Sequence, residues 1–283
     1  MPWRAMREVS VRLLDTGYCL HPQVMTLRHG SLKPAAFPVL AALLMHPSEG
    51  PILFDTGYDR AFLQATAPFP EHLYRWLAPA RFAPAQAAAH QLQTLGVAPD
   101  SVRHLILSHF HADHIAGTRR FPRARIHCAK AGHLVACKGR IPALRRGILP
   151  ALLPADFAAR ARYFEEGKTA TLPSDLAPFS DGMDVLGDGS LIAVELPGHC
   201  PGHWGLVVRD SAVGLHFLVA DAAWSSAAIR QNAPPPRITS AFLGDTNRGS
   251  ATLAALHALW RQNPEITITP SHCQERAATC QPS

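Results

Sequence analysis

Ser108-His109-Phe110-His111-Ala112-Asp113-His114 places three histidines and an aspartate directly after the apolar run Leu105-Ile106-Leu107. In an extended segment, alternation puts His109, His111 and Asp113 on one side. His114 joins them if the chain turns into a helix there, and Ile115-Ala116-Gly117 permits that turn. Nitrogen and oxygen donors without thiolates suit zinc, iron, manganese or cobalt better than a soft metal. Four donors this close can serve two adjacent ions, His109 and His111 on one, Asp113 and His114 on the other. Histidines buried without partners are costly, so a metal site is favoured over a chance core cluster.

The flanking sequence sets this stretch in a layered fold. Upstream, Arg103–Ser108 reads as a strand, preceded by a helix over Pro84–Leu95 that stops at Gly96. Further upstream, Pro38–His46 and Pro51–Asp55 read as apolar strands joined by the turn Pro47-Ser48-Glu49-Gly50. The second runs straight into Asp55-Thr56-Gly57. Val9–Leu14 reads as an opening strand, followed by a loop of Gly, His and Pro in which His21 and His29 could reach a pocket. Downstream, the stretch 119–167, with prolines at 122, 142, 150 and 154, reads as a helical, basic insertion. Strand-like runs return at Ser190–Leu196, Trp204–Arg209, Leu215–Ala220 and Ile266–Thr269, with a helix over Ser250–Gln262 before the last. Both halves thus offer strands and helices. No flexible Gly/Ser linker divides them, so 1–283 is expected to form one α/β domain.

Composition narrows the function classes. The chain has 283 residues, 47% hydrophobic and 17% charged, which supports a buried core and excludes a disordered chain. No apolar run reaches the roughly 18 residues of a membrane span. The first fifteen residues mix charge with apolar residues and lack a signal-peptide core, so a cytoplasmic location with reduced thiols is expected. None of the six cysteines forms a C-x-x-C pair; Cys200 and Cys273 adjoin histidines, which raises metal or oxidant sensitivity there. The net charge is +6, and no acidic residue lies between His114 and Asp156, where Arg119, Arg120, Arg123, Arg125, Lys130, Lys138, Arg140, Arg145 and Arg146 fall. This could be a polyanion footprint. Without aromatic interleaving or an RNA-binding motif, a solvated face or a mouth for an anionic small substrate is the better reading.

H-x-H-x-D-H after a strand resembles the signature of the metallo-β-lactamase-fold hydrolases. Other segments resemble that family's motifs in order. Asp55-Thr56-Gly57 looks like the first, whose acid, here Asp55, supports the ligands from behind. Pro197-Gly198-His199-Cys200-Pro201-Gly202-His203 looks like the third, with His199 completing the first metal's ligands and His203 bracing the turn. Asp221, in Ala220-Asp221-Ala222-Ala223-Trp224, would bridge both ions, and His272, after Ser271, would bind the second. The resemblance spans residues 53 to 272 and implies a four-layer αββα sandwich with the metals at one edge between the sheets. Of the 16 histidines, it accounts for five as ligands and one as a brace.

Two cations about 3.5–4 Å apart can share a water and lower its pKa toward about 7, supplying hydroxide to attack a carbonyl or phosphoryl group. Asp113 or Asp221 could shuttle the proton to the leaving group. The expected cofactors are two divalent ions, zinc first, with iron, manganese or cobalt as alternatives. Aspartate at 221 differs from the cysteine of the main zinc β-lactamases, and His111 from the glutamate of the flavodiiron branch. The Pro-Gly-His-x-Pro-Gly-His unit looks closest to N-acyl homoserine lactonases, which implies a lactone or ester as the small-molecule substrate and a homodimer as the assembly to test. Those enzymes carry a tyrosine three residues after the bridging aspartate; here Trp224 stands there, read as a substrate-contacting pocket wall, with core packing as the alternative. An indole N–H can donate a hydrogen bond but cannot act as an acid. The rival functions are a phosphodiesterase, nuclease or thioesterase on the same scaffold, and a non-catalytic, metal-dependent ligand-binding protein.

Overall fold

A computed structural model describes residues 6–26, 30–236 and 244–280. His29 lies outside the described residues, as does part of the amino-terminal loop region. The strands are β1 (Glu8–Pro22), β2 (Pro34–His46), β3 (Gly50–Phe54), β4 (Ala80–Arg81), β5 (His104–Ile106), β6 (Arg125–Cys128) and β7 (Ala161–Tyr163) in the first half. The second half adds β8 (Lys168–Thr171), β9 (Asp181–Asp184), β10 (Leu191–Glu195), β11 (Trp204–Asp210), β12 (Gly214–Ala220) and β13 (Thr267–Pro270).

The strands run β7-β6-β5-β3-β2-β1-β11-β10-β9-β8, with β12 and β13 extending from β11. The long strand β1 joins two sheets. Its first residues, Glu8 and Val9, pair in parallel with Arg209 and Asp210 of β11, and from Ser10 onward it pairs antiparallel with β2. Strands β3, β5, β6 and β7 are parallel neighbours.

Alternation along the strands sorts side chains into three apolar layers. In β3, Ile52 and Phe54 face β10–β12, whereas Leu53 turns outward to helices. In β11, Leu206 and Val208 share the inter-sheet core with Ile52 and Phe54, and Val207 turns to the opposite outer layer. One outer core packs Leu53, Leu105 and Ile126 against Phe62, Leu92 and Ile115. The other packs Val194, Val207 and Phe217 against Leu253, Leu256 and Leu259 of the helix Thr246–Gln262. Three cores between four layers make the αββα sandwich expected from the sequence.

Several elements differ in extent from the sequence reading. The opening strand continues through the expected Gly/His loop to Pro22, with an irregularity between Asp15 and Tyr18. Thr16, in that irregularity, donates to the Val39 carbonyl at 2.7 Å and accepts from the Tyr58 N–H at 3.2 Å. Gly57 has φ +63°, and a Cβ there would sit 2.0 Å from Thr16 Oγ1, so only glycine fits the turn after Asp55. Stretch 119–167 carries short helices, as its composition implies, but also β6 and β7, which continue the β3–β5 sheet.

At the amino ends of these parallel strands, His104 stacks on His127 with ring centroids 5.2 Å apart, and their ring nitrogens meet at 2.9 Å. Burial, His104 and the neighbouring Arg125 and Arg162 push His127 down to about 3, against an ordinary value near 6.5. Between those values the unfolded chain takes a proton that the native chain refuses. The His127 contribution to stability is therefore expected to be whole above about pH 6.5 and to be lost as pH drops toward 3. Chemical denaturation across this range checks the slope, which His127→Gln should flatten.

Candidate metal centre

The strand β5 ends at Ile106, and the helix Ala112–Ile115 begins with His111 as its cap residue. The alternation expected to run to Asp113 is thus replaced by a loop of five residues and a helical turn. His109 and His111 come from the loop, Asp113 and His114 from the helix, and all four still converge.

Asp55 organises this loop from behind. It sits at φ 57°, just after β3, with its side chain buried. Its Oδ1 accepts the Ser108 N–H at 2.8 Å, and its Oδ2 accepts the Ser108 hydroxyl at 2.7 Å. The His114 Nδ1 lies 2.8 Å from the same Oδ2 and donates to it. Because the Ser108 proton goes to Asp55, His109 Nδ1, 3.0 Å from Ser108 Oγ, is the donor of that pair. One carboxylate thereby fixes both rings, with the Nε2 atoms of His109 and His114 facing inward. Thr56 adds a clamp: its N–H and hydroxyl both donate to the His114 carbonyl at 2.8 Å, and its Oγ1 accepts the Gly117 N–H at 2.9 Å.

Three other segments close the cluster. His199 Nε2 lies 2.9 Å from His111 Nδ1 and 3.3 Å from Asp221 Oδ2. Asp221 follows Ala220, whose φ of 46° ends β12 in a left-handed turn. Its backbone N–H donates to His203 Nε2 at 3.1 Å, and His203 Nδ1 donates to the Leu196 carbonyl at 3.0 Å. Burial pushes His203 down to about 4, which keeps it neutral for this bracing role. Ser271 Oγ donates to Asp221 Oδ1 at 2.5 Å. His272 donates from Nδ1 to the Pro38 carbonyl at 2.7 Å, and its Nε2 lies 3.1 Å from Asp221 Oδ2 and 3.6 Å from Asp113 Oδ2.

Three overlapping donor groups result. His109, His111, His199 and Cys200 form one; His109, His114 and Asp221 a second; Asp113, His114 and His272 a third. The buried Nε2 atoms of His109 and His114 have no hydrogen-bond partner among the described residues, and His111 turns its Nδ1 toward His199. His114 Nε2 lies 3.2 Å from Asp221 Oδ1 without the alignment of a hydrogen bond. Buried unpaired polar atoms cost about 1–3 kcal/mol each, so their convergence is what a cation would relieve. Gly147 brings the backbone against the His111 ring; a Cβ there would sit 2.9 Å from its Cδ2.

The charges are balanced internally. Burial favours the neutral form of Asp221, but His272, His114 and His199 outweigh it and hold the carboxyl well below its usual range. Burial also opposes protonation of His114 and His272, yet Asp221 and its neighbouring carboxylates raise both. His109 and His199 go the other way, pushed well down mainly by burial, and so keep free lone pairs. Burial and Asp221 push the Cys200 thiol well above its ordinary value, which disfavours a thiolate in the first group.

His109, His111, Asp113, His114, His199, Asp221 and His272 meet in this cluster, and Asp55, His203 and Trp224 lie against it. Trp224 stacks at a tilt on His272, with centroids 4.3 Å apart, and lines a small cleft with His199 and Asp221. Ser108, Thr56, Ser271 and Gly147 contribute without standing out in the sequence; the serine that precedes both His109 and His272 is the one local signal for two of them.

The family model of the metallo-beta-lactamase superfamily matches residues 36–215, and the chain belongs to that superfamily. The chain is 31% identical over 168 residues to the N-acyl homoserine lactonase AttM of Azorhizobium caulinodans, covering 59% of this chain and 57% of that protein. It is also 31% identical over 179 residues to a probable metallo-hydrolase of Mycobacterium tuberculosis, covering 59% and 51%. The chain thus spans about half the length of the curated relatives it matches. Among solved structures, an N-acyl homoserine lactone hydrolase with N-hexanoyl-L-homoserine at its metal centre superposes with a TM-score of 0.72 at 21% identity, covering 98% of this chain and 97% of that one. AiiA of B. thuringiensis gives 0.70 at 20% identity, with the same coverage. At these identities the likeness is one of fold.

Asp55→Ala is expected to destabilise the protein by about 1–3 kcal/mol, because the buried Nδ1–H of His114 loses its acceptor. Urea unfolding in the presence of a chelator measures this loss without any contribution from metal binding.

Proposed function

We propose that the chain is a metal-dependent hydrolase that opens a lactone or ester. His109, His111 and His199 would hold one divalent ion, and Asp113, His114 and His272 a second, with Asp221 between them. Zinc fits the donor set first. The observation that carries this reading is the convergence of buried, unpartnered imidazole nitrogens around one buried carboxylate. The lactonase names and titles among the relatives support the substrate class. Divalent ions held there would supply Lewis acidity, polarising a carbonyl oxygen and making water acidic enough to act as nucleophile near neutral pH.

The chain's own residues divide the remaining work. Asp221, with 2% of its side chain exposed and a hydrogen bond from Ser271, is fixed and serves to hold charge. Asp113, with 13% exposed, is the more accessible carboxylate and is assigned the proton transfer to the leaving alkoxide. Trp224, half-buried over His272, offers an indole N–H to an acyl or lactone oxygen and an apolar wall beside it. Phe37 meets the same indole edge-on at 5.4 Å and fixes its plane.

The test is a panel of lactones, thioesters and phosphodiesters on metal-loaded protein. Lactone or ester turnover is expected to exceed phosphodiester turnover. His109→Ala should lower both metal content and turnover; unchanged hydrolysis in that variant would sink the reading. Trp224→Phe keeps the wall but removes the donor. It is expected to reduce kcat/KM by about 2- to 10-fold, the worth of one ordinary hydrogen bond, with metal content unchanged.

A further inference from the structure

The basic run between His114 and Asp156 is not one surface. Arg119 donates to the Leu153 carbonyl, Arg120 forks onto Asp59, Lys130 pairs with Glu166 and Arg140 pairs with Glu71. Two of its arginines, Arg123 and Arg125, go elsewhere. With Arg103 they line a cleft of about 660 Å³ at the amino ends of β3, β5 and β6. All three side chains are exposed and make no hydrogen bond or ion pair among the described residues.

We propose that this cleft binds a small phosphorylated ligand, with Arg103, Arg123 and Arg125 taking the phosphate and Glu49 and Asp100 taking hydroxyl or amine groups of its body. The volume lies within the roughly 300–1,000 Å³ of small-molecule sites. Arg103 and Arg125 are backbone neighbours at the start of β5 and β6, where the Arg125 N–H donates to the Arg103 carbonyl at 2.8 Å. Guanidinium groups present forked donors that match phosphate oxygens, and three of them around one concavity repel each other until an anion enters. His104 forms the buried base. Its Nε2 lies 3.2 Å from Glu49 Oε2, and its Nδ1 is engaged by His127, so it anchors Glu49 at the rim.

Two observations favour a small ligand over a nucleic-acid backbone. Arg119, Arg120, Lys130 and Arg140 are committed to partners within the chain. Glu49 and Asp100 sit among the arginines, where they would repel a continuous phosphodiester track. The cleft is also separate from the metal centre. His104 opens β5 and His109 lies in the loop beyond its other end. Ligands of α/β sheets usually bind beyond the carboxyl ends of the strands, where the metal cluster lies, so a ligand at the amino ends is a second one.

Calorimetric titration of metal-loaded protein at low ionic strength tests this, with ribose 5-phosphate, AMP and inorganic phosphate as probes. Saturable binding of at least one sugar phosphate is expected. Arg103→Gln/Arg123→Gln should weaken it at least tenfold, with metal content, thermal midpoint and hydrolytic turnover unchanged. Glu49→Gln should weaken the sugar phosphates more than inorganic phosphate. Should the double variant be unstable, the single variants Arg103→Gln and Arg123→Gln carry the same test, each with a smaller loss. The proposal is overturned if no probe binds, or if binding survives the arginine substitutions and vanishes with the metal. Single-stranded RNA that binds through the same arginines and resists displacement by the sugar phosphates would also overturn it.

Discussion

The Asp221 carboxylate is the charge about which this edge of the sandwich is built. It is buried, and a buried carboxylate is costly unless charged or hydrogen-bonding neighbours compensate it. Here the compensation comes from imidazoles, with His272, His114 and His199 all within 3.3 Å of its oxygens, and from the Ser271 hydroxyl. These groups arrive from both sheets and from both halves of the chain. Reaching them requires a left-handed turn at Ala220, a conformation that costs of order 1–3 kcal/mol outside glycine and that surrounding contacts must sustain. His203 supplies one such contact by accepting the Asp221 N–H.

Asp55 plays the complementary part on the other sheet. It too has a positive φ at a strand end, and its two oxygens hold Ser108 and His114 together. The sheets are then tied across the site. The Trp204 N–H of β11 donates to the Ser108 carbonyl at 2.9 Å, and the Leu40 N–H of β2 donates to the Ser271 carbonyl at 2.9 Å. Donor positions are therefore set by backbone links between rigid strands. This is how seven side chains from four separate segments meet, held as a preorganised site requires.

Much of this was legible in the sequence because it is periodic or local. The apolar runs of β2, β3, β10, β11 and β12 alternate between two cores, and the run itself marks the strand. The ligand-type residues were legible because packing and turn formation alone seldom gather histidine and aspartate into short, ordered motifs. What escaped was non-local or short. Strands β6 and β7 have four and three residues and lie among prolines and helix formers, so no period could form. The hairpin β8–β9 is largely exposed and polar, which hides its alternation. The helix at Ala112 starts earlier than alternation implied, because Asp55 and Thr56, more than fifty residues away, hold Ser108 and His114 in place. The Pro38 carbonyl that accepts from His272 carries no side-chain signature at all.

The central claim is that one buried carboxylate and its imidazoles form a two-ion centre. Crystals of the zinc-loaded protein, measured on both sides of the zinc absorption edge, test it directly. The account predicts two anomalous peaks, one against His109, His111 and His199 and the other against Asp113, His114 and His272, with Asp221 touching both. A single peak elsewhere, or none at these residues in protein that retains zinc, would contradict it.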